Sequence, residues 1–152
     1  MNEKYKKMSV FMMDSYPKLT EDRKCLTDRI YGWQNDKSMD EAKELRYLDW
    51  KADLIQRVVK ERLGDMERPI FRLIYGKRMT FREVREVYHR NTGMSLTNAE
   101  IVKVKKQILE NFMKELLFSD TYDDEREYMD QLIAETEEWL LIPGNAKKIP
   151  KS

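Results

Sequence analysis

Residues that interrupt helices are scarce in this chain. Five glycines and four prolines occur among 152 residues, whereas 38% of the residues are charged. A composition with few helix breakers and many charges is typical of long, solvated helices rather than of sheets. We therefore expect an all-α, multi-helix protein, and the sequence contains no convincing strand, internal repeat or low-complexity tract.

Cysteine and long apolar runs are also rare. The single cysteine, Cys25, excludes a disulfide framework within one chain and fits a reducing compartment. No apolar run approaches the roughly 20 residues that are needed to span a bilayer. We therefore expect a cytoplasmic protein that has no membrane partner.

The residues of common catalytic and metal sites are sparse as well. His89 is the only histidine, and it lies near the end of a predicted helix. The carboxylates at Asp123, Asp124, Glu125 and Glu127 lack the glycine turn and the ligand spacing of a calcium-binding EF-hand loop. No glycine-rich phosphate loop is present. We expect no enzymatic activity, no cofactor and no metal site.

The net charge of +1 conceals an uneven distribution of charge along the chain. Residues 77–116 carry nine basic and five acidic side chains, whereas residues 117–142 carry one basic and nine acidic side chains. Such sectors are either ordinary solvated faces or surfaces that meet a charged partner.

Capping signals divide the chain into predicted helices. A Ser or Thr that is followed three residues later by Glu forms a capping box, in which each side chain bonds the other residue's backbone N–H. Three such pairs occur, namely Ser38 with Glu41, Thr80 with Glu83, and Thr97 with Glu100. Together with apolar spacings of three and four, they predict helices over about 1–16, 20–33, 38–63, 65–76, 80–90, 97–118 and 121–142, with caps at Thr20 and at Asp120 or Thr121 for the second and the last.

The central helices have the organisation of a helix-turn-helix. Two short capped helices are joined by the turn "NTGMS", which contains Gly93, and a third helix precedes them. The chain thus divides into an N-terminal helical region (1–63), a helix-turn-helix domain (64–118), and an acidic helix with a basic tail (119–152). The predicted three-helix core consists of Ile70, Phe71, Ile74, Val84, Tyr88, Ile101, Val104 and Ile108.

The second helix of this pair has a face suited to DNA. Its apolar arc faces inward, and its outer side carries amide, small and basic residues: Asn98, Val102, Lys103, Lys106 and Gln107. Asn and Gln can pair with adenine, Val can contact a thymine methyl, and lysines neutralise phosphates. On and around the preceding helix, arginines can hold the DNA backbone, namely Arg78, Arg82, Arg85 and Arg90. The alternative is a helical bundle with an ordinary lysine-rich surface.

These helices resemble a known family. The stretch "MERPIFRLIYGKRMTFREVREVY", followed by "LTNAEIVKVKKQILENFMKEL", is similar to the fourth region of bacterial sigma factors. In that region, elements like "RLIYG", "TFREV" and "KVKKQIL" form the helix-turn-helix; the turn "YHRNTGMSL" is longer here. Over residues 40–118 the chain resembles phage late-gene regulators of the RinA and ArpU type. The resemblance implies an activator of phage or prophage late genes that binds double-stranded promoter DNA. The change from basic to acidic charge after residue 116 suggests that the last helix either folds back on basic surface or recruits a protein such as RNA polymerase, and a second copy of the chain is a further candidate partner.

The acidic segment supports a different interpretation. It could make the chain a phage-encoded protein-interaction module, such as an anti-repressor or an inhibitor of host machinery, without sequence-specific DNA binding. The apolar stripe of this segment then has two explanations, a core-facing side or a docking face: Met129, Leu132, Ile133, Trp139 and Leu140.

Overall fold

The fold is a set of helices gathered around one long central helix. A computed structural model of the chain describes residues 3–32 and 39–151, and within these residues no strand is present, which confirms the all-α prediction. The helices are α1 (Glu3–Asp14), α2 (Tyr16–Tyr31), α3 (Met39–Arg57), α4 (Glu67–Phe71), α5 (Phe81–Thr92), α6 (Asn98–Ser119) and α7 (Arg126–Leu140).

Wider and tighter turns adjoin three of these helices. A π-helical turn at Val58–Arg62 continues α3, and another at Arg72–Gly76 continues α4. In each turn a backbone N–H reaches the carbonyl five residues back, from Leu63 to Val58 and from Lys77 to Arg72, at 3.0 Å. Short 3-10 turns at Asp123–Glu125 and Ala146–Lys148 precede and follow α7.

Two of the three predicted capping boxes are present in full. At the start of α5 and of α6, the threonine hydroxyl accepts from the backbone N–H of the glutamate, and the glutamate carboxylate accepts from the backbone N–H of the threonine. The four distances, for Thr80 with Glu83 and Thr97 with Glu100, lie between 3.0 and 3.2 Å. The predicted pair of Ser38 with Glu41 involves Ser38, which lies outside the described residues.

Two predicted helix starts are wrong. The second helix begins at Tyr16 rather than after Thr20, because Pro17 fits the first turn, where its missing N–H leaves no helical hydrogen bond unmade. The last helix does not begin at Asp120 or Thr121. The carboxylate of Asp120 instead accepts from Tyr5, and the Thr121 hydroxyl donates back to the Phe118 carbonyl at 2.7 Å.

Helix α6 is the centre of the hydrophobic core. Its residues Ile101, Ile108, Phe112 and Leu116 are fully buried, and α6 packs against α1 and α4. Of the predicted three-helix core, six side chains are buried, and Ile74 and Tyr88 are half-buried. Buried side chains from all three predicted segments belong to one hydrophobic cluster, so residues 64–118 share their core with the N-terminal and C-terminal helices.

The acidic helix α7 contributes directly to this core. Met129, Leu132 and Trp139 are buried, and the Trp139 ring lies 5.6 Å from that of Phe11 in α1. The apolar stripe of the segment is therefore a core-facing side. Acidic side chains of this segment also face the N-terminal helices, since Glu135 accepts from Lys51 at 3.0 Å.

A buried carboxylate fastens the turn after α3 to α6. Glu115 is 3% exposed and accepts hydrogen bonds from the guanidinium groups of Arg57 and Arg62, each at 3.0 Å. A buried carboxylate is stable only where partners replace its water. The two arginines supply those partners and so fix the C-terminal half of α6 against the π-helical turn.

Candidate nucleic-acid interface

Helix α5 lies beside the N-terminal half of α6. Residues 93–97 join the two helices, and Leu96, which is buried, anchors this turn in the core. Gly93 ends α5 with a φ of 74°, a left-handed conformation that glycine adopts without strain. The Lys105 Nζ of α6 lies 5.4 Å from the centre of the Phe81 ring in α5, which places the start of α5 about two turns into α6.

One polar contact links the predicted site residues of the two helices. The Arg85 guanidinium of α5 donates a hydrogen bond to the side-chain oxygen of Asn98, the first residue of α6. The contact fixes the orientation of the exposed Asn98 amide. Both residues belong to the predicted site, but their contact could not be predicted, because a contact across a turn of variable geometry leaves no periodic signal in the sequence.

A shallow depression opens between α5 and the turn. It has a volume of about 330 Å³ and is lined by Arg82, Arg85, Glu86 and His89 of α5 with Ser95 and Leu96 of the turn. Arg82 is highly exposed and pairs with Glu86 at 3.2 Å. His89 and Ser95 were not among the predicted site residues. Their positions in the sequence, near the end of α5 and in the turn, could have indicated that they line this depression.

The predicted residues of α6 lie on its exposed side. Asn98, Val102, Lys103 and Lys106 are exposed, and Gln107 is half-buried. The basic part of this surface ends one turn later at Glu110, which is exposed. The structure therefore leaves four of the five α6 residues open to solvent, with Arg85 in contact with the first residue of the helix.

The remaining two predicted arginines lie at the edges of this region. Arg90 is exposed in the last turn of α5. Arg78 has a φ of 53°, and its guanidinium donates to the main-chain carbonyl of Asp14 at 2.9 Å. Arg78 thus ties the loop before α5 to the end of α1 and does not line the depression.

Two ionisable groups near the interface have shifted pKa values. The backbone and hydroxyl hydrogen bonds from Thr80 lower the pKa of Glu83, so the capping carboxylate stays ionised in mildly acid solution. Burial lowers the pKa of Lys105, whose ammonium group lies over the Phe81 ring. Lys105 therefore differs from its neighbours Lys103 and Lys106, which are exposed to solvent.

Among residues 3–32 and 39–151, no cluster of three or more His, Cys, Asp or Glu side chains could hold a metal ion. None of the helices described is both long and apolar enough to cross a membrane. Cys25 is exposed and unpaired.

Neither protein-family models, nor curated proteins, nor solved structures gave a match to the chain.

Proposed function

We propose that the chain is a sequence-specific DNA-binding transcriptional regulator that uses α5 and α6 as a helix-turn-helix. The observation that carries this proposal is the exposed side of the first half of α6, which bears an amide and two lysines, with Arg85 of α5 bonded to the amide. An α-helix fits the major groove of B-DNA, and the residues near its N-terminus reach the base edges.

Asn98 is the proposed base-reading residue. It is exposed in the first turn of α6, and its side-chain oxygen accepts a hydrogen bond from Arg85. An amide oxygen has two lone pairs and an amide nitrogen has two donors. The contact with Arg85 therefore leaves one lone pair and both donors for the two-point recognition of an adenine. Gln107 is a second candidate base contact, and Val102 a candidate for a thymine methyl.

The charged residues around Asn98 are the proposed phosphate contacts. Lys103 and Lys106 follow it on the exposed side of α6, and neither forms an ion pair with any residue that the structure describes. Arg82 and Arg90 extend the basic surface along α5. Phosphate contacts position the helix and add affinity for every DNA sequence, whereas the amide discriminates among bases.

The biological role of the proposed regulator comes from the resemblance to phage late-gene regulators. In that role the chain binds double-stranded promoter DNA in the cytoplasm of a bacterial host and activates phage or prophage late genes. RNA polymerase and a second copy of the chain are the protein partners that we propose for it.

The second candidate function is a protein-interaction module, and one surface favours it. Exposed carboxylates near the end of α7, at Glu137 and Glu138, lie one helical turn before the exposed apolar residues Leu141 and Ile142. This surface is separate from the α5–α6 face. In this alternative the chain binds an oppositely charged protein and shows no preference among DNA sequences.

Selection of DNA from a random duplex library by the full chain tests the proposal. The selected duplex and a scrambled duplex are then titrated at several salt concentrations. Lys103→Ala and Lys106→Ala should each weaken both complexes and reduce the salt slope by about one unit. Lys43→Ala is the matched control, since Lys43 is exposed on α3 beside residues of α7. This control should change neither complex.

Asn98→Ala supplies the specificity measurement. It should cost about 1–3 kcal/mol on the selected duplex and much less on the scrambled duplex, because only the former loses a base contact. Failure of the library to enrich, or equal loss on both duplexes, would refute sequence reading by α6. Lysine variants that bind as the parent does would make α6 an ordinary bundle helix with a solvated face.

A further inference from the structure

A groove separates α1 from α6, on the side of α6 that adjoins its exposed face. Its volume is about 540 Å³, which lies in the range of small-molecule sites. The C-terminal tail forms one wall through Lys148, Pro150 and Lys151. Lys148 holds the tail to the end of α1 by an ion pair with Asp14 at 3.1 Å.

The floor of the groove is apolar. It consists of side chains from α1, from the turn after α4 and from α6, namely Val10, Met13, Tyr75, Val102, Leu109 and Met113. Met13, Leu109 and Met113 are buried, so they form a floor rather than an exposed patch. Methionine side chains adapt to irregular apolar ligands because they are unbranched and flexible.

The rim of the groove is basic. Five lysines and two glutamates line it, and the lysines are Lys6, Lys105, Lys106, Lys148 and Lys151. Lys105, Lys106 and Lys151 form no ion pair within residues 3–32 and 39–151. An apolar floor below uncompensated cations matches a ligand that has an apolar body and an anionic head.

The positions of the lysines relative to the apolar floor set the orientation of such a ligand. Lys105 and Lys106 precede Met113 by about two helical turns, which is roughly 10–12 Å along α6 at 1.5 Å per residue. An anionic head at these lysines therefore leaves room for an extended apolar chain over Leu109 and Met113. Nucleic acid fits this groove poorly, because a polar sugar-phosphate backbone gains nothing from an apolar floor.

We propose that the groove between α1, α6 and the C-terminal tail binds a small organic anion with an extended apolar chain. The head contacts Lys105, Lys106 and Lys151, and the chain lies on the apolar floor. A free alkyl carboxylate and the headgroup region of an anionic bilayer share this chemistry, and the buried floor, walled on one side by the C-terminal tail, favours the free molecule.

Calorimetric titration of the full chain with sodium laurate, kept below its micelle concentration, tests this proposal without any DNA. One laurate should bind per chain. Acetate has the head without the chain, and dodecyltrimethylammonium has the chain with the opposite charge, so neither should bind. The double variant Lys105→Met/Lys106→Met should weaken laurate binding by at least about tenfold, because it removes two cationic contacts and keeps the apolar stems.

Lys114→Met is the matched control, since Lys114 is exposed on the same helix and does not line the groove. This variant should bind laurate as the parent does, and circular dichroism verifies that every variant is folded. Absence of laurate binding by the folded parent would overturn the proposal, as would equal binding of the cationic amphiphile. Binding to phosphatidylglycerol vesicles without binding of monomeric laurate would also overturn it and would assign the lysines to a membrane surface.

Discussion

Replacement of Ile108 by alanine tests which face of α6 belongs to the core. Ile108 is 0% exposed in the hydrophobic cluster. The substitution removes three carbon groups, which are worth about 0.8 kcal/mol each in transfer free energy, or roughly 2.4 kcal/mol together. The cavity that remains adds a further cost, so the free energy of unfolding should fall by about 2–5 kcal/mol.

Val102→Ala is the matched substitution on the same helix. Val102 is 55% exposed, so less apolar area is lost from the fold. Alanine is also the better helix former, which offsets part of the loss. The free energy of unfolding should therefore change by no more than about 0.5 kcal/mol.

Urea unfolding followed by circular dichroism measures both values. Ile108→Ala should lower the midpoint without changing the slope m. For a chain of this size, a loss of 3 kcal/mol should lower the thermal midpoint by about 6–12 °C. Similar losses for Ile108→Ala and Val102→Ala would refute the orientation of α6, and with it both the proposed DNA-binding face and the proposed groove.

Three further predictions concern polar contacts. Thr97→Ala should lower the free energy of unfolding by about 1 kcal/mol, because the cap of α6 is lost. Thr20→Ala, at an exposed position inside α2, should have no measurable effect. Equal effects of the two variants in urea unfolding would contradict the capping role. Glu115→Gln should lower the free energy of unfolding by about 1–3 kcal/mol, because an uncharged amide replaces the buried carboxylate between two arginines. Glu110→Gln is the exposed control, and an unchanged stability in Glu115→Gln would show that the arginines gain nothing from the charge. The hydrogen bond with the Asp120 carboxylate, together with burial, raises the pKa of Tyr5 from 10.0 to about 12. The stability that this hydrogen bond contributes is therefore complete below pH 10 and is lost as the pH rises through 12. The difference in unfolding free energy between the parent and Tyr5→Phe should shrink over that range, and a constant difference would exclude the linkage.

Structural features that depend on residues close together in the sequence could be predicted. The capping boxes at Thr80 and Thr97 are confirmed, because each joins a side chain to a backbone group three residues away. The buried arc of α6 is confirmed at Ile101 and Ile108, because helical periodicity places both on one face. The start of α2 was missed because Thr20 and Pro17 are competing local signals, and the sequence alone does not rank them.

Contacts between distant segments could not be predicted. Glu115 meets arginines more than fifty residues earlier in the chain, and no spacing rule connects them. The groove likewise depends on α1 lying beside α6. A partial signal was available, because Leu109 and Met113 form a second apolar stripe next to the first, and a helix that is apolar on two sides packs against two partners.

Helix α6 connects the two proposals, since Val102 and Lys106 belong both to the proposed DNA-binding face and to the lining of the groove. If both proposals hold, a bound carboxylate neutralises Lys106, and DNA loses one phosphate contact. Linkage requires the effect to be reciprocal, so DNA must weaken laurate binding by the same factor by which laurate weakens DNA binding.

Saturating laurate should therefore reduce DNA affinity and lower the salt slope by about one unit. Lys106→Met should abolish this response, because the variant has already lost the contact that the ligand removes. Lys103→Met should retain the response, since Lys103 does not line the groove. Fluorescence anisotropy of labelled DNA, measured with and without laurate, decides the matter. Equal loss of DNA affinity in the parent and in Lys106→Met would mean that laurate acts elsewhere, whereas an unchanged affinity in the parent would show that the two surfaces are occupied independently.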